Sequence, residues 1–503
     1  MQRGIVLFGA VVLALVTASR VIADDSPTYK PMARAENEEF ALELPASLRT
    51  RLEGVSTFPL DRYGTTLDSN FFFLPQARIG AHVESRRDDW PVRLQFDYEH
   101  DVATGTENGA PRQEIGSRLP NGEKVHDEIR RLFLRITIPQ TFLVIGGGYT
   151  LSHWGMGMLA NDGAHGWTPG SARFSDPRSG DRVLRALIST TPLTDYGIVL
   201  RAAWDDVIGD DFLLDGDTAH QYIGSVSVGQ GQRRNGGLYV VYRSQDSNLR
   251  RGFDATVFDL TGSDTYSIDG LGQFTLAAEG AIVTGSTTLG PTPDFHKHNL
   301  LQIGAVLRMS LDRGNHGGVF DFMFASGDEN FDDKDQNAFK IDPNYEFGLL
   351  LFRQVMAAQT GRATVTASDP TLIGKPVPDL DRIPTGGSPS NTLAFFPRAW
   401  WRPEQGLEVY GGPMFALSDA KYADPFNTRI NGGDPHNALG GKPGRFYGAE
   451  LDIGSRYEML VGTTELSFGL EGGVLFPGDA FHKLNGSTMS EVFGGRAVLE
   501  CRL

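Results

Sequence analysis

The chain has a single cysteine, Cys501, in 503 residues, and only eleven histidines. No internal disulfide can form, so a small disulfide-stapled scaffold is excluded, and sparse histidine leaves little material for acid–base chemistry. Cations are also in the minority, 46 Lys and Arg against 62 Asp and Glu, for a net charge of −16. That balance argues against nucleic acid or an anionic lipid surface as the main partner. Long apolar runs are missing outside the first 23 residues, so no helix spanning a bilayer is expected.

What the chain does have, from about Leu52 to its end, is alternation. Val92, Leu94, Phe96 and Tyr98 interleave with Arg93, Gln95, Asp97 and Glu99, and the pattern recurs after each turn. Side chains of a strand point to opposite faces in succession, so one face of each segment is apolar and the other charged. A soluble sandwich hides the apolar face in a core. A transmembrane up-and-down antiparallel barrel shows it to lipid and turns the charged face to a lumen.

The first residues favour the second reading. Arg3 followed by the apolar stretch from Gly4 to Val16 and by Val21-Ile22-Ala23 has the order of a signal peptide, residues 1–23, with the mature chain expected to start at Asp24. Removing it takes away Arg3 and Arg20 and no acid, leaving 44 basic against 62 acidic residues. Residues 24–45 are expected to form a flexible periplasmic segment and residues 46–503 a single all-β barrel of sixteen to eighteen strands. Eighteen can be laid out, including 91–103, 129–138, 253–260, 266–283, 391–401 and 490–503. Short connections such as 139–141, 192–195, 313–316 and 402–405 alternate with long polar ones at 104–128, 152–181, 327–390 and 418–443. Sorting of loop length by parity is the rhythm of short periplasmic turns and long outer loops.

The same alternation nominates a lumen wall. Arg93, Arg131, Arg135, Arg201, Arg243, Arg308 and Arg398 fall on it, with Asp97, Asp321 and Glu450 among the acids. Two readings stand: these groups satisfy one another across neighbouring strands, or the guanidinium rows guide anionic or sugar-like solutes. Trp90, Tyr149, Trp154, Tyr196, Trp204, Trp400, Trp401, Tyr447 and Tyr457 lie near strand ends, as an interfacial girdle requires.

The connection 327–390 is the most unusual. It opens on Asp328, Glu329, Asp332, Asp333 and Asp335 and continues through an apolar stretch, Tyr345 to Ala358. A loop of this length is expected to fold into the lumen, where Phe347, Leu350, Leu351, Val355 and Ala358 have helical spacing; an extra strand is the competing reading. The acidic run lacks the order of a calcium loop, and no metal ligand is assigned. Ser152 and His153 are neighbours on opposite faces, and no G-x-S-x-G elbow or H-E-x-x-H spacing occurs, so neither an enzyme nor a cofactor is expected.

HWGMGMLANDG from His153, then SGDRV, SGDENFDDKD, GAELDIG and EGGVLFPGDAF, resemble a family of bacterial outer-membrane β-barrels of unassigned function. More loosely, the plan resembles the alginate-export type of eighteen-stranded porin. The first resemblance implies a barrel, the second a passive channel. The chain ends in Leu503 where such barrels usually present an aromatic residue to the barrel-assembly machinery, and its final alternation turns Cys501 toward lipid. The expected function is an outer-membrane pore, surrounded by lipid, passing small hydrophilic solutes. A non-conducting structural or adhesive barrel acting through its outer loops is the alternative.

Overall fold

In the computed structural model the chain forms one continuous antiparallel sheet that curls until its ends meet. The structure describes residues 33–503 except 38, 67–70, 86–91, 105–124, 176–179, 211, 215, 230–231, 250, 291, 293, 331, 346, 369–381 and 383. The signal peptide, Trp90, the turn at 86–90 and most of the loop 104–128 therefore lie outside the described residues.

Eighteen strands close the barrel. They are β1 (Ala46–Val55), β2 (Phe71–Ser85), β3 (Arg93–Thr104), β4 (Val125–Ile138), β5 (Leu143–Leu151), β6 (Arg182–Thr190), β7 (Val199–Gly209), β8 (Thr218–Val228) and β9 (Arg234–Asp246). The second half is β10 (Gly252–Ile268), β11 (Gly272–Thr287), β12 (His298–Asp312), β13 (His316–Ala325), β14 (Thr392–Glu404), β15 (Leu407–Leu417), β16 (Phe446–Val461), β17 (Thr464–Pro477) and β18 (Val492–Arg502). Each pairs with its sequence neighbour, and β18 returns to β1 in the register Arg496↔Glu53 and Cys501↔Leu48. Mutual backbone hydrogen bonds between Ala46 and Leu503, 2.8 and 3.3 Å, finish the seam. Closure leaves none of the eighteen barrel strands at a free edge among the described residues, and free edge amides would not be tolerated in a hydrocarbon surround. No described helix is long and apolar enough to cross a membrane, which says nothing of strands.

Alternation is visible in the burial of every long strand. On β16 and β17, Leu451, Ile453, Phe468 and Leu470 face outward and are 47–65 % exposed, while Glu450, Asp452, Arg456 and Glu471 face inward and are buried. Such an apolar outer belt with ionisable groups inside inverts the plan of a soluble protein. Loop parity holds as well. Connections at 139–142, 269–271, 313–315, 405–406 and 462–463 lie at one end with both ends of the barrel sheet, and 152–181, 326–391, 418–445 and 478–491 lie at the other.

Two readings of the sequence need correction. The break expected after residue 260 does not occur: β10 runs on through Thr261, Gly262 and Ser263 to Ile268, and the chain reverses at 269–271 with Gly270 at φ 74°. Those turn-forming residues are paired into the ladder opposite Asn235 to Gly237, so neighbouring strands override their local preference. The second concerns residues 33–44, within the stretch taken for a flexible arm. Ala33–Glu36 and Phe40–Leu44 pair with each other, and the latter adds to the far half of β2 through Phe40↔Ser85 and Glu43↔His82.

Candidate functional site: the lumen and its in-folded loops

The barrel is not hollow, because two long loops turn inward and fill its middle. Loop 152–181 contributes Met158, Trp167, Ala172 and Phe174, and loop 326–391 contributes Phe339, Ile341, Tyr345, Phe347 and Leu349 to Ala358, all buried. They meet inward-facing Val319, Met323, Ala394, Phe396, Trp400, Tyr410 and Met414 of the wall in one apolar cluster. Polar wall groups meet water, a loop backbone or one another, as Arg456 does with Glu471 at 3.0 Å. Within the longer loop a π-helical turn, Leu351–Met356, leads into an α-helix, Ala357–Ser368.

Charged wall residues act as latches on these loops. Glu450 on β16 accepts the backbone N–H groups of Leu349, Leu350 and Leu351 at 2.6, 2.8 and 2.8 Å, satisfying the orphan donors at the start of the helical segment. Glu279 on β11 accepts from the amides of Met156 and Met158. Arg398 on β14 donates to the Ala172 carbonyl at 2.7 Å, and Arg496 on β18 to the Phe174 carbonyl at 2.5 Å, holding the shorter loop from two sides. The two loops are joined where Asp342 donates its amide to the Met158 carbonyl, 2.8 Å.

The ten wall residues nominated from the sequence divide accordingly. Arg308 and Arg398 share Asp321, with both Arg308 contacts at 2.7 Å, and Arg398 and Asp321 are buried. Glu450 is sealed beneath the longer loop. Asp97 contacts His82 Nδ1 at 2.9 Å, Arg131 donates to Glu99 and Arg135 to Gln95, each at 3.3 Å, and Arg243 is paired with Asp210 and lies over the Phe212 ring. Arg201 is half-buried on the wall and Arg93 is exposed near the short-turn end. The structure therefore does not bring the seven arginines into one file: Arg308 and Arg398 sit together in the middle, and the rest are spread over β3, β4, β7 and β9.

Three aromatic assignments are also corrected. Trp154, Trp400 and Tyr447 are buried inside the barrel, because each meets an in-folded loop or another inward ring. Trp154 stacks on Tyr239 with centroids 5.0 Å apart and donates to Asp259. Tyr149, Tyr196, Trp204, Trp401 and Tyr457 remain on the outer surface.

The loops leave a cavity on either side. Toward the short turns lies a space of about 850 Å³ lined by Arg49, Arg78, Arg173, Arg308, Arg456 and Arg502 against Glu99, Asp312 and Glu500. Toward the long loops, a second of about 840 Å³ is lined by Asp181, Asp210, Asp328, Asp332, Asp335 and Asp342 with Arg243, Lys340, Arg382 and Arg429. The cationic cavity includes Arg173, a residue of the in-folded loop. Its guanidinium is pushed down to about 10 by the charge of nearby Arg308 and by burial. A site that already crowds two like charges favours an anion between them.

Sequence reasoning missed Arg130 and Arg173. Arg130 is the extra residue of a β-bulge, since Glu99 pairs with Arg131 while His100 pairs with Ile129. The bulge turns both members of the Arg130-Arg131 pair inward. An adjacent pair of arginines that breaks strict alternation was the available signal. Arg173 sits in a loop without periodicity, so no pattern marks it.

No family model and no curated protein matches the sequence. The fold is similar to that of Pseudomonas aeruginosa OccK9 (OpdG), with 10 % identity, a TM-score of 0.51, and 92 % of this chain and 98 % of that one covered. It is similar to Pseudomonas aeruginosa OccK8 (OprE), with 10 % identity, a TM-score of 0.50, and 92 % and 98 % covered. Acinetobacter baumannii OccAB1 matches with 10 % identity, a TM-score of 0.50, and 92 % and 96 % covered. Likeness at this identity carries the fold alone, a closed antiparallel β-barrel. It gives no support to the looser resemblance to alginate-export porins.

Proposed function

We propose that this chain is an outer-membrane channel that passes small hydrophilic solutes and favours anionic or sugar-like ones. The observation that carries the reading is the arginine-rich cavity, lined by six guanidinium groups and three carboxylates although the chain as a whole is acidic; Arg308, Arg456 and Arg78 are also paired with Asp321, Glu471 and Asp101 in the wall. Guanidinium is weakly hydrated, keeps its charge at any working pH, and presents a planar fork to carboxylate or hydroxyl oxygens. Loops latched into the lumen narrow the path so that a solute meets these groups directly, which is how a wall charge becomes selectivity. The reading assigns Arg308, with Arg173 of the loop, to positioning solute; Arg398, Asp321 and Glu450 shape the passage by holding the loops. Lipid around the apolar belt and the assembly machinery for the closing strand are the partners that this reading entails.

Reconstitution in a planar bilayer under a salt gradient tests it. Discrete current steps with a reversal potential on the anion side are expected, and Arg173→Ala should move that potential toward the cation side. A folded, heat-modifiable protein that gives no steps would overturn the channel reading and favour the non-conducting barrel. Cation preference in the parent protein would shift the selecting role to the carboxylates.

A further inference from the structure

Loop 152–181 brings together three side chains that the channel reading does not use. Asp162 Oδ1 stands 3.5 Å from His153 Nδ1 and 3.4 Å from His165 Nε2, and the two imidazole rings lie 4.1 Å apart, tilted by 41°. All three donor atoms fall within 4.8 Å of one another. We propose that His153, Asp162 and His165 form a binding site for a divalent transition-metal ion of the zinc type at the rim of the cationic cavity.

The distances are the first argument. Ligand atoms about 2.0–2.2 Å from a tetrahedral zinc ion lie about 3.3–3.5 Å from one another, which is the spacing of Asp162 from each imidazole. The same spacing is too long for a good hydrogen bond, and His153 Nδ1 is shielded from solvent with no hydrogen-bond partner. A buried ring nitrogen left in that state costs free energy that a ligand would recover. Two imidazole nitrogens and one carboxylate select a borderline metal rather than magnesium or calcium, which take oxygen sets.

The loop is built to hold this arrangement. Trp154 donates its amide to the Ala160 carbonyl at 3.1 Å, Gly157 to the Trp154 carbonyl at 2.9 Å, and Asp181 to the Asn161 carbonyl at 3.1 Å. Gly157, at φ 79°, passes so close that a Cβ there would come 2.6 Å from Asn161 Nδ2 and 3.1 Å from His153 Cε1. Arg130 donates to the Asp162 carbonyl at 2.7 Å, but its charge is already met by Glu99, Asp101 and Glu128 at 3.7–3.9 Å. Arg173 also lies within electrostatic range of His153. His165 lines the cationic cavity, so coordination positions left open by the protein face that cavity, where an anion or water would complete the set.

Binding is measured on untagged, chelator-treated full-length protein in detergent, by calorimetric titration with zinc chloride and by the visible spectrum with cobalt(II). Saturable binding of one ion per chain is expected, with the absorption of a tetrahedral nitrogen–oxygen set and quenching of Trp154 by cobalt. His153→Ala or His165→Ala should weaken it by about tenfold or more, Asp162→Asn should weaken it also, and His436→Ala in an outer loop should leave it unchanged. His165 is half exposed, so His165→Gln keeps the test sound if the alanine variant folds poorly. Unchanged stoichiometric binding in a folded His153→Ala/His165→Ala variant would overturn the site, as would absence of saturation up to millimolar zinc in the parent. Either result leaves the bilayer test of the channel independent, since binding is read without current.

Discussion

Glu450 shows what a single lumen carboxylate does in this barrel. Alternation in Gly448-Ala449-Glu450-Leu451-Asp452 is enough to place it inside, and that much is legible. The sequence does not say whether it meets water or protein, because its partners are backbone amides of a loop one hundred residues away. A wall carboxylate in a hollow pore would be exposed; this one is buried beneath Leu349, Leu350 and Leu351. Glu450→Ala leaves three buried donors without an acceptor, each costing about 1–3 kcal/mol. The barrel itself, held by its ladders, should survive with its heat-modifiable migration intact. The expected result is a larger and noisier single-channel conductance together with new protease cleavage near residues 345–358. Unchanged conductance with intact protection would show that packing alone holds the loop.

At the scale of the element, apolar loop side chains seat on inward-facing glycines. A Cβ at Gly304 of β12 would come 2.3 Å from the Phe339 ring, one at Gly494 of β18 would come 2.6 Å from Leu350, and one at Gly237 of β9 would come 2.7 Å from Trp154. None of these three glycines has positive φ; Gly304 is small for its loop, while Gly237 and Gly494 also make room for a neighbouring backbone carbonyl, Val226 at 2.7 Å and Gly54 at 3.0 Å. Gly304→Val is the cleanest test, because the three nearest atoms its Cβ would meet all belong to the Phe339 ring. Overpacking of this kind costs about 1–3 kcal/mol. Displacement of Phe339 should change conductance while β12 keeps its exchange-protected amides, whereas loss of that protection would mean that the strand was damaged. The strands carrying these notches were readable from their alternation. The notches were not, since glycine has neither polarity nor periodicity to declare which face it leaves empty. Alternation from the lumen-facing Arg398 does put Trp400 inside and Trp401 outside; closeness to a strand end, where a girdle also accepts tryptophan, masked that signal.

Taken whole, the molecule is a closed wall with a cap of loops tied across one end, and the cap carries a titratable group that responds near neutral pH. Gln359 of the in-folded helix donates to the Pro59 carbonyl at 3.1 Å and accepts from Tyr422, Arg362 donates to Asp61 at 2.9 Å, and Arg62 reaches Asn427 at 3.4 Å. Among these contacts lies Asp424, which caps the short helix Pro425–Ile430 by accepting the amide of Asn427 at 2.6 Å. Burial pushes its carboxyl up to about 7, offset in part by the amide bonds and reinforced by the charge of Asp61. Asp61 moves the opposite way: burial would raise it, but hydrogen bonds from Thr65, Arg362 and Tyr63 outweigh that and hold it low, so it is charged throughout the neutral range. A carboxyl raised in the folded state binds a proton more tightly there than in an opened loop, so its contribution is complete at low pH. It is lost as pH rises between about 4 and 7. The cap should therefore be tighter at pH 5 than at pH 8, with amides of residues 424–437 exchanging more slowly at pH 5 after correction for intrinsic rates. Exchange that slowed equally in strand amides would mark a global effect of pH rather than one centred on Asp424. Asp424→Asn keeps an acceptor for the Asn427 amide without a titrating proton and should flatten the dependence; a loop whose exchange still followed pH in that variant would place the titrating group elsewhere in the cap.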